Sequence, residues 1–158
     1  MGGFIFMKEN LASRVLTISL YAIFALGILG TATLPFMIDY YTKFFYDAYF
    51  LEAGYRTFLL IFLTAVAIPG LWIVLEMILM MRSIPQGPFI KRNVTALNRI
   101  AVILLVISAL FFAKLFFYTT FLTMACGFLF VVFGFFGFTL SSLFKQAVHY
   151  KEENDLTI

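Results

Sequence analysis

IAVILLVISALFFAKLFFYTTFLTMACGFLFVVFGFFGFTLSSLF, residues 100–144, holds a single charged side chain, Lys114. A helix needs about 20 residues to cross the hydrocarbon core of a bilayer. The stretch is therefore too long for one crossing and long enough for two. Its polar point, Tyr118-Thr119-Thr120, predicts a tight turn between antiparallel spans over 100–117 and 121–144. Lys114 then falls in the last turn of the earlier span, where its long stem can carry the amine to the headgroups.

Upstream of this stretch the same logic finds two more spans, over 15–38 and 57–81. The first follows Lys8 and Arg14, as a secretory signal would. Its apolar run, however, exceeds the ~7–15 residues of a cleavable core, and Gly30-Thr31-Ala32 is a poor cleavage site, so an uncleaved anchor is expected. The second contains Pro69-Gly70 and one carboxylate, Glu76. Proline removes a backbone donor and crowds the carbonyl of Ala65, which predicts a kink. The fold expected is an all-α integral membrane protein with four transmembrane helices packed as one bundle. Between the second and third spans lies a loop over 82–99, and a tail over 145–158 follows the fourth. Gly127, Gly134 and Gly137 mark the fourth span as the bundle centre, and Gly27 with Thr31, Ala109 with Ala113, and Gly137 with Ser141 are small pairs suited to close helix approach.

Composition agrees with this reading. Of 158 residues, 63% are apolar and 12% charged, and the mean hydropathy is +1.03. A water-soluble domain carries roughly a quarter charged residues, so lipid must cover most of this surface. The net charge of +3 is not gathered into a patch that would bind nucleic acid. Instead Lys8, Arg14, Arg82, Lys91, Arg92, Arg99, Lys145 and Lys151 fall on one side of the spans, and Lys43, Arg56 and Lys114 on the other. The positive-inside bias makes the richer side cytoplasmic, with both termini and the 82–99 loop on it. The external connection, 39–56, holds Tyr40, Tyr41, Phe44 and Phe45 at helical spacing, which predicts an outer segment lying along the interface. It reads as an aromatic belt or as a ligand-sensing surface.

Chemistry is sparse. The single His149 and single Cys126 have no second ligand at metal spacing, and no nucleophile elbow or phosphate-cradling loop is present in the sequence. The chain reads as non-enzymatic, without cofactor or metal. Glu76 is the one carboxylate within a span; it is expected to pair with Arg82 or Arg99, the alternative being an ion or proton role. On the cytoplasmic side, the basic Arg82, Lys91, Arg92 and Arg99 face a tail with Phe144 and Val148 on one stripe, acidic Glu152, Glu153 and Asp155, and apolar Leu156 and Ile158. This tail either docks on its own loop or presents a surface to a partner.

Gly87-Pro88-Phe89, Asn93-Val94 and Leu97-Asn98-Arg99-Ile100, followed by Phe144-Lys145-Gln146-Ala147 and the ending from Lys151 to Ile158, resemble the bacterial domain-of-unknown-function family 2975. Asn98 and Ala101 depart from the pattern, where a basic residue and a glycine are usual. The resemblance implies a small four-helix protein of the plasma membrane, often encoded beside a helix-turn-helix regulator of the lambda-repressor type. Two function classes follow: a membrane-bound partner of such a cytoplasmic regulator, or a small homo-oligomeric transporter, pore or immunity-type protein. Orientation is directly testable. Reporters fused after Ile158 and within 86–91 are expected to read cytoplasmic, and one within 46–52 external; an external C-terminus would overturn the four-span arrangement.

Overall fold

The computed structural model describes residues 11–46, 54–84, 87 and 89–156, and within these the description excludes the side chains of Thr42, Phe45, Tyr46, Asp155 and Leu156. Four helices account for nearly all of it: α1 (Leu11–Tyr46), α2 (Tyr55–Ser83), α3 (Lys91–Leu115) and α4 (Phe121–Leu156). Each is long and apolar enough to cross a bilayer. All-helical structure is what hydrocarbon demands, because a helix satisfies its own backbone donors and acceptors where no water is available to do so.

Contacts run antiparallel and strictly in chain order. Arg82 near the end of α2 meets Tyr21 near the start of α1, Ser83 meets Asn93 across the 84–90 connection, and Ser108 of α3 meets Gly127 of α4. Among the described residues, α1 packs on α2, α2 on α3 and α3 on α4, with no approach between other pairs. The helices therefore form an open row rather than a closed bundle. α2 and α3 occupy the middle, and α4, expected at the centre, lies at an edge.

The glycines of α4 do create the tightest contact, but with α3 alone. Buried positions along α4 are Thr123, Gly127, Gly134, Gly137, Ser141 and Val148, with half-buried Phe130 and Phe144 between them. They alternate at steps of three and four, the spacing of the seam between right-handed helices that wind about each other in a left-handed supercoil. Ala101 is fully buried against it. A Cβ added at Gly137 would lie 3.0 Å from the Ala101 Cβ and 3.3 Å from its Cα, and one added at Gly134 would lie 2.6 Å from Leu105 Cδ2. Small residues let the backbones approach and gain dispersion contacts in a medium where apolar burial alone gives no drive to associate. Gly27 likewise seats Leu71 between α1 and α2. Ala109 and Ala113 face outward and join no interface, since the seam of α3 runs along Ala101 and Ser108.

Boundaries shift modestly from expectation. α3 ends at Leu115, and residues 116–120 make the turn, so the break comes slightly early. α2 runs through Pro69 as one element, and α1 runs through Pro35 and on to Tyr46. The aromatic positions of the expected outer segment thus begin as the last turns of α1. Tyr40, Tyr41 and Phe44 are exposed there, whereas the Phe45 side chain and residues 47–53 lie outside the described residues.

Because Ala101 meets Gly137 through backbone-proximal atoms that no rotamer change can move, Gly137→Leu should destabilise the protein by about 1–3 kcal/mol. Gly30 has open space around it, so Gly30→Leu should stay within about 0.5 kcal/mol. Unfolding in detergent micelles compares the two; equal losses would show that the seam is not the tight contact described.

Candidate functional site

The motif residues, and part of the polar contacts, lie at the end of the row that carries both the start of α1 and the end of α4. Gly87 has φ +111, a conformation open to glycine and strained for other residues, and its N–H donates to the Ile84 carbonyl at 2.9 Å. That turn reverses the chain between α2 and α3. It is secured by a buried polar contact in which the Ser83 hydroxyl is shared between the Met80 carbonyl at 2.7 Å and Asn93 Oδ1 at 2.8 Å. Past the turn, Phe89 packs on Phe144 with ring centroids 5.3 Å apart, and the Ser141 hydroxyl donates to the Val94 carbonyl at 3.1 Å.

The tail is an extension of α4, not a separate segment. The helix leaves the apolar region and continues to Leu156. Lys91 Nζ lies 2.9 Å from Glu152 Oε1, His149 pairs with Glu153 one turn on, and Val148 is buried. Of the two tail residues that the sequence left as self-docked or partner-facing, Phe144 is half-buried against Phe89 and Val148 is buried. The surface left outward carries Arg92, His149, Tyr150 and Glu153. The side chains of Asp155 and Leu156, and Ile158 altogether, lie outside the described residues.

One turn or more deeper, Glu76 is buried and Arg99 Nη1 donates to its Oε1 at 3.1 Å, with Trp72 Nε1 3.4 Å from the same oxygen. Of the two partners the sequence allowed, Arg99 takes the carboxylate. Arg82 goes the other way, donating from Nε to the Tyr21 hydroxyl at 2.8 Å and standing over its ring at 5.7 Å. Each arginine thus ties α2 to a different neighbour. Sequence spacing could not choose between them, because the choice depends on which side of α2 each neighbouring helix occupies.

At the opposite end Lys114 turns inward instead of reaching out to headgroups. Its amine donates to Thr123 Oγ1 at 3.1 Å and lies 5.1 Å from the Phe62 ring centre, joining α3 to α4 and α2. Thr123 is itself within 2.6 Å of the Thr120 hydroxyl. A hydroxyl and a ring face give the ammonium partners within the protein. Asp39 and Arg56 form an ion pair between α1 and α2 at the same end. Sequence reading did not single out Ser83, Trp72 or Thr123 as contact residues, and it marked Ser141 only as the small partner of Gly137 and not as a hydrogen-bond donor. Their signal was the heptad spacing of Thr123 and Ser141 on α4, and for Trp72 its place one turn before Glu76.

The Glu76–Arg99 pair is asymmetric, with side-chain exposures of 7% and 61%. Removing the arginine strands a carboxylate in a buried site, whereas removing the carboxylate leaves a guanidinium with access to headgroups and water. Arg99→Gln should accordingly cost about 1–3 kcal/mol, Glu76→Gln clearly less, and the double variant should recover most of the Arg99→Gln loss. A thermodynamic cycle in micelles measures this, and equal single losses would contradict the asymmetry.

No curated protein and no solved structure matches the chain. The motif residues that build the turn, the tail contact and the ion pair are those on which a family resemblance rested. The family model described as protein of unknown function (DUF2975) matches residues 10–158, and the chain belongs to that family.

Proposed function

We propose that this is a non-enzymatic plasma-membrane protein, with both termini cytoplasmic, whose cytoplasmic end is a docking surface for a soluble regulator of the helix-turn-helix class. The observation that carries the reading is the extension of α4 to Leu156 as one helix, braced against α3 by Lys91 and Glu152. A braced helix loses little conformational freedom when a partner binds, which favours recognition over a flexible tail. Its outward face offers Tyr150, which is 65% exposed, among groups of both charge signs. An aromatic anchor with a charged rim is the composition that protein interfaces favour.

Further support comes from the fate of the ionisable groups. Glu76 is taken up by Arg99 and Trp72, and Lys114 by Thr123 and Phe62, so both act as fasteners between helices. The exposed aromatic stripe Phe36, Tyr40 and Phe44 suits an external interfacial belt.

Crosslinking in native membranes, followed by purification of the intact chain, tests the proposal. A cytoplasmic DNA-binding protein should copurify, and deletion of residues 152–158 should abolish its capture. Stability should fall by no more than about 1 kcal/mol, because the Lys91–Glu152 pair is solvent-exposed. Recovery of self-crosslinked chain alone would sink the reading and favour a homo-oligomeric transporter, pore or immunity-type protein.

A further inference from the structure

Beside the Glu76–Arg99 pair, on the outer surface between α2 and α3, lies a groove of about 420 Å³. Its walls are Ile68, Pro69 and Trp72 from α2 and Val102 from α3, and its mouth is formed by Asn98 and Arg99. We propose that this groove binds one anionic glycerophospholipid, with an acyl chain against the apolar walls and the headgroup phosphate on Arg99 and Asn98.

Three observations carry this. The first is the order of the lining along the helices. Asn98 and Arg99 sit toward the termini-bearing end; Val102 lies one turn deeper on α3, and Ile68 one turn deeper than Trp72 on α2. A turn rises about 5.4 Å, so the polar groups stand above the apolar ones in the same sense as the headgroup and chain of a lipid in the leaflet.

The second is the state of Arg99. Glu76 engages one of its terminal nitrogens, yet 61% of the side chain remains exposed. A guanidinium has five N–H donors in a planar fork suited to two phosphate oxygens, so donors remain after the ion pair is made. Arg92 lies two turns closer to the helix start on the same stripe of α3 and is exposed, as is Thr95 between them, which extends the cationic side of the mouth. Together these complement an anionic headgroup and discriminate against one whose phosphate is balanced by choline.

The third is where the groove opens. Ile68, Trp72 and Val102 are each about half exposed, so the walls face the surface of the row, where bilayer lipid has direct lateral access. Pro69 contributes to the wall at the point where α2 lacks one backbone donor. The groove size falls within the range of small-molecule sites, and its few polar groups are gathered at one end, as in sites that orient an amphiphile.

Trp72 is the one tryptophan of the chain and lines the groove, so its fluorescence reports on the occupant. The full chain is reconstituted in phosphatidylcholine vesicles containing equal mole fractions of brominated-chain phosphatidylglycerol or brominated-chain phosphatidylcholine. Brominated phosphatidylglycerol should quench Trp72 more strongly, with a relative binding constant about fivefold higher, the weight of one cation at an anionic interface. Glu76→Gln, which releases Arg99 from its ion pair, should raise that preference, and Glu76→Gln with Arg99→Gln should lower it below that of the unaltered chain, to what Arg92 alone supplies. If the double variant fails to insert, Arg92→Gln is read instead; it removes a cation from the mouth, leaves the Glu76–Arg99 pair intact and should lower the preference. Equal quenching by the two lipids in the unaltered chain would overturn the proposal, as would a preference left unchanged by the double substitution or by Arg92→Gln. So would Trp72 shielded from both lipids in a chain that crosslinks to a second copy through this face.

Discussion

Ala101 is wholly enclosed where α3 crosses Gly134 and Gly137 of α4, and the closeness of that approach fixes the geometry of the termini-bearing end. Lipid tails are as apolar as leucine, so helices associate through shape and through polar contacts instead of through exclusion from water. Once the two backbones are held together, the hydroxyls of Ser108 and Ser141 reach carbonyls on the opposite helix. The extension of α4 then passes close enough to the start of α3 for Lys91 to meet Glu152 and for Phe89 to meet Phe144. A larger residue at Gly137 would act on all of these contacts, because α4 is a single rigid element.

The other helices are joined with less packing and more charge. Among the described residues α1 meets only α2, and its links include the Arg82–Tyr21 contact and the Asp39–Arg56 pair near opposite ends, with Gly27 seating Leu71 between them. α2 joins α3 through Glu76–Arg99 near one end and through Phe62–Phe111 toward the other, where Phe58 also meets Phe117 of the turn after α3. In a medium where an unsatisfied polar group is costly, each such group becomes a fastener with a defined partner, and the open row is held in register by them. The same arrangement leaves broad apolar faces of α1 and α4 outward, with Phe121 at 83% exposure, which suits contact with lipid.

Much of the architecture was legible in the chain. The run from Ile100 to Phe144 required two crossings because helix rise and bilayer thickness are fixed, and the break fell within a few residues of Tyr118. Glu76 was recognisable as a residue that needs a partner, since ionised carboxylates are expensive in hydrocarbon whatever the fold. The family motifs were visible as residue types, with their physical roles apparent only in place: Gly87 for a positive φ, Phe89 for the tail, Asn93 for a buried hydroxyl. Ala101, a departure from the expected glycine, is accommodated because the facing positions are Gly134 and Gly137.

The sequence by itself determined four apolar helices and their connections, since hydropathy and length are properties of each segment alone. Tertiary structure decided which faces meet. It placed α4 at an edge although its glycines suggested a centre, left Ala109 and Ala113 outward although their spacing matched a packing motif, and turned Lys114 inward to Thr123 and Phe62. It also gave Glu76 to Arg99 and Tyr21 to Arg82. The reason is that spacing along a helix specifies a stripe but not the neighbour opposite it. That assignment follows from the rotation of each helix against the next, which depends on the shapes of both surfaces at once.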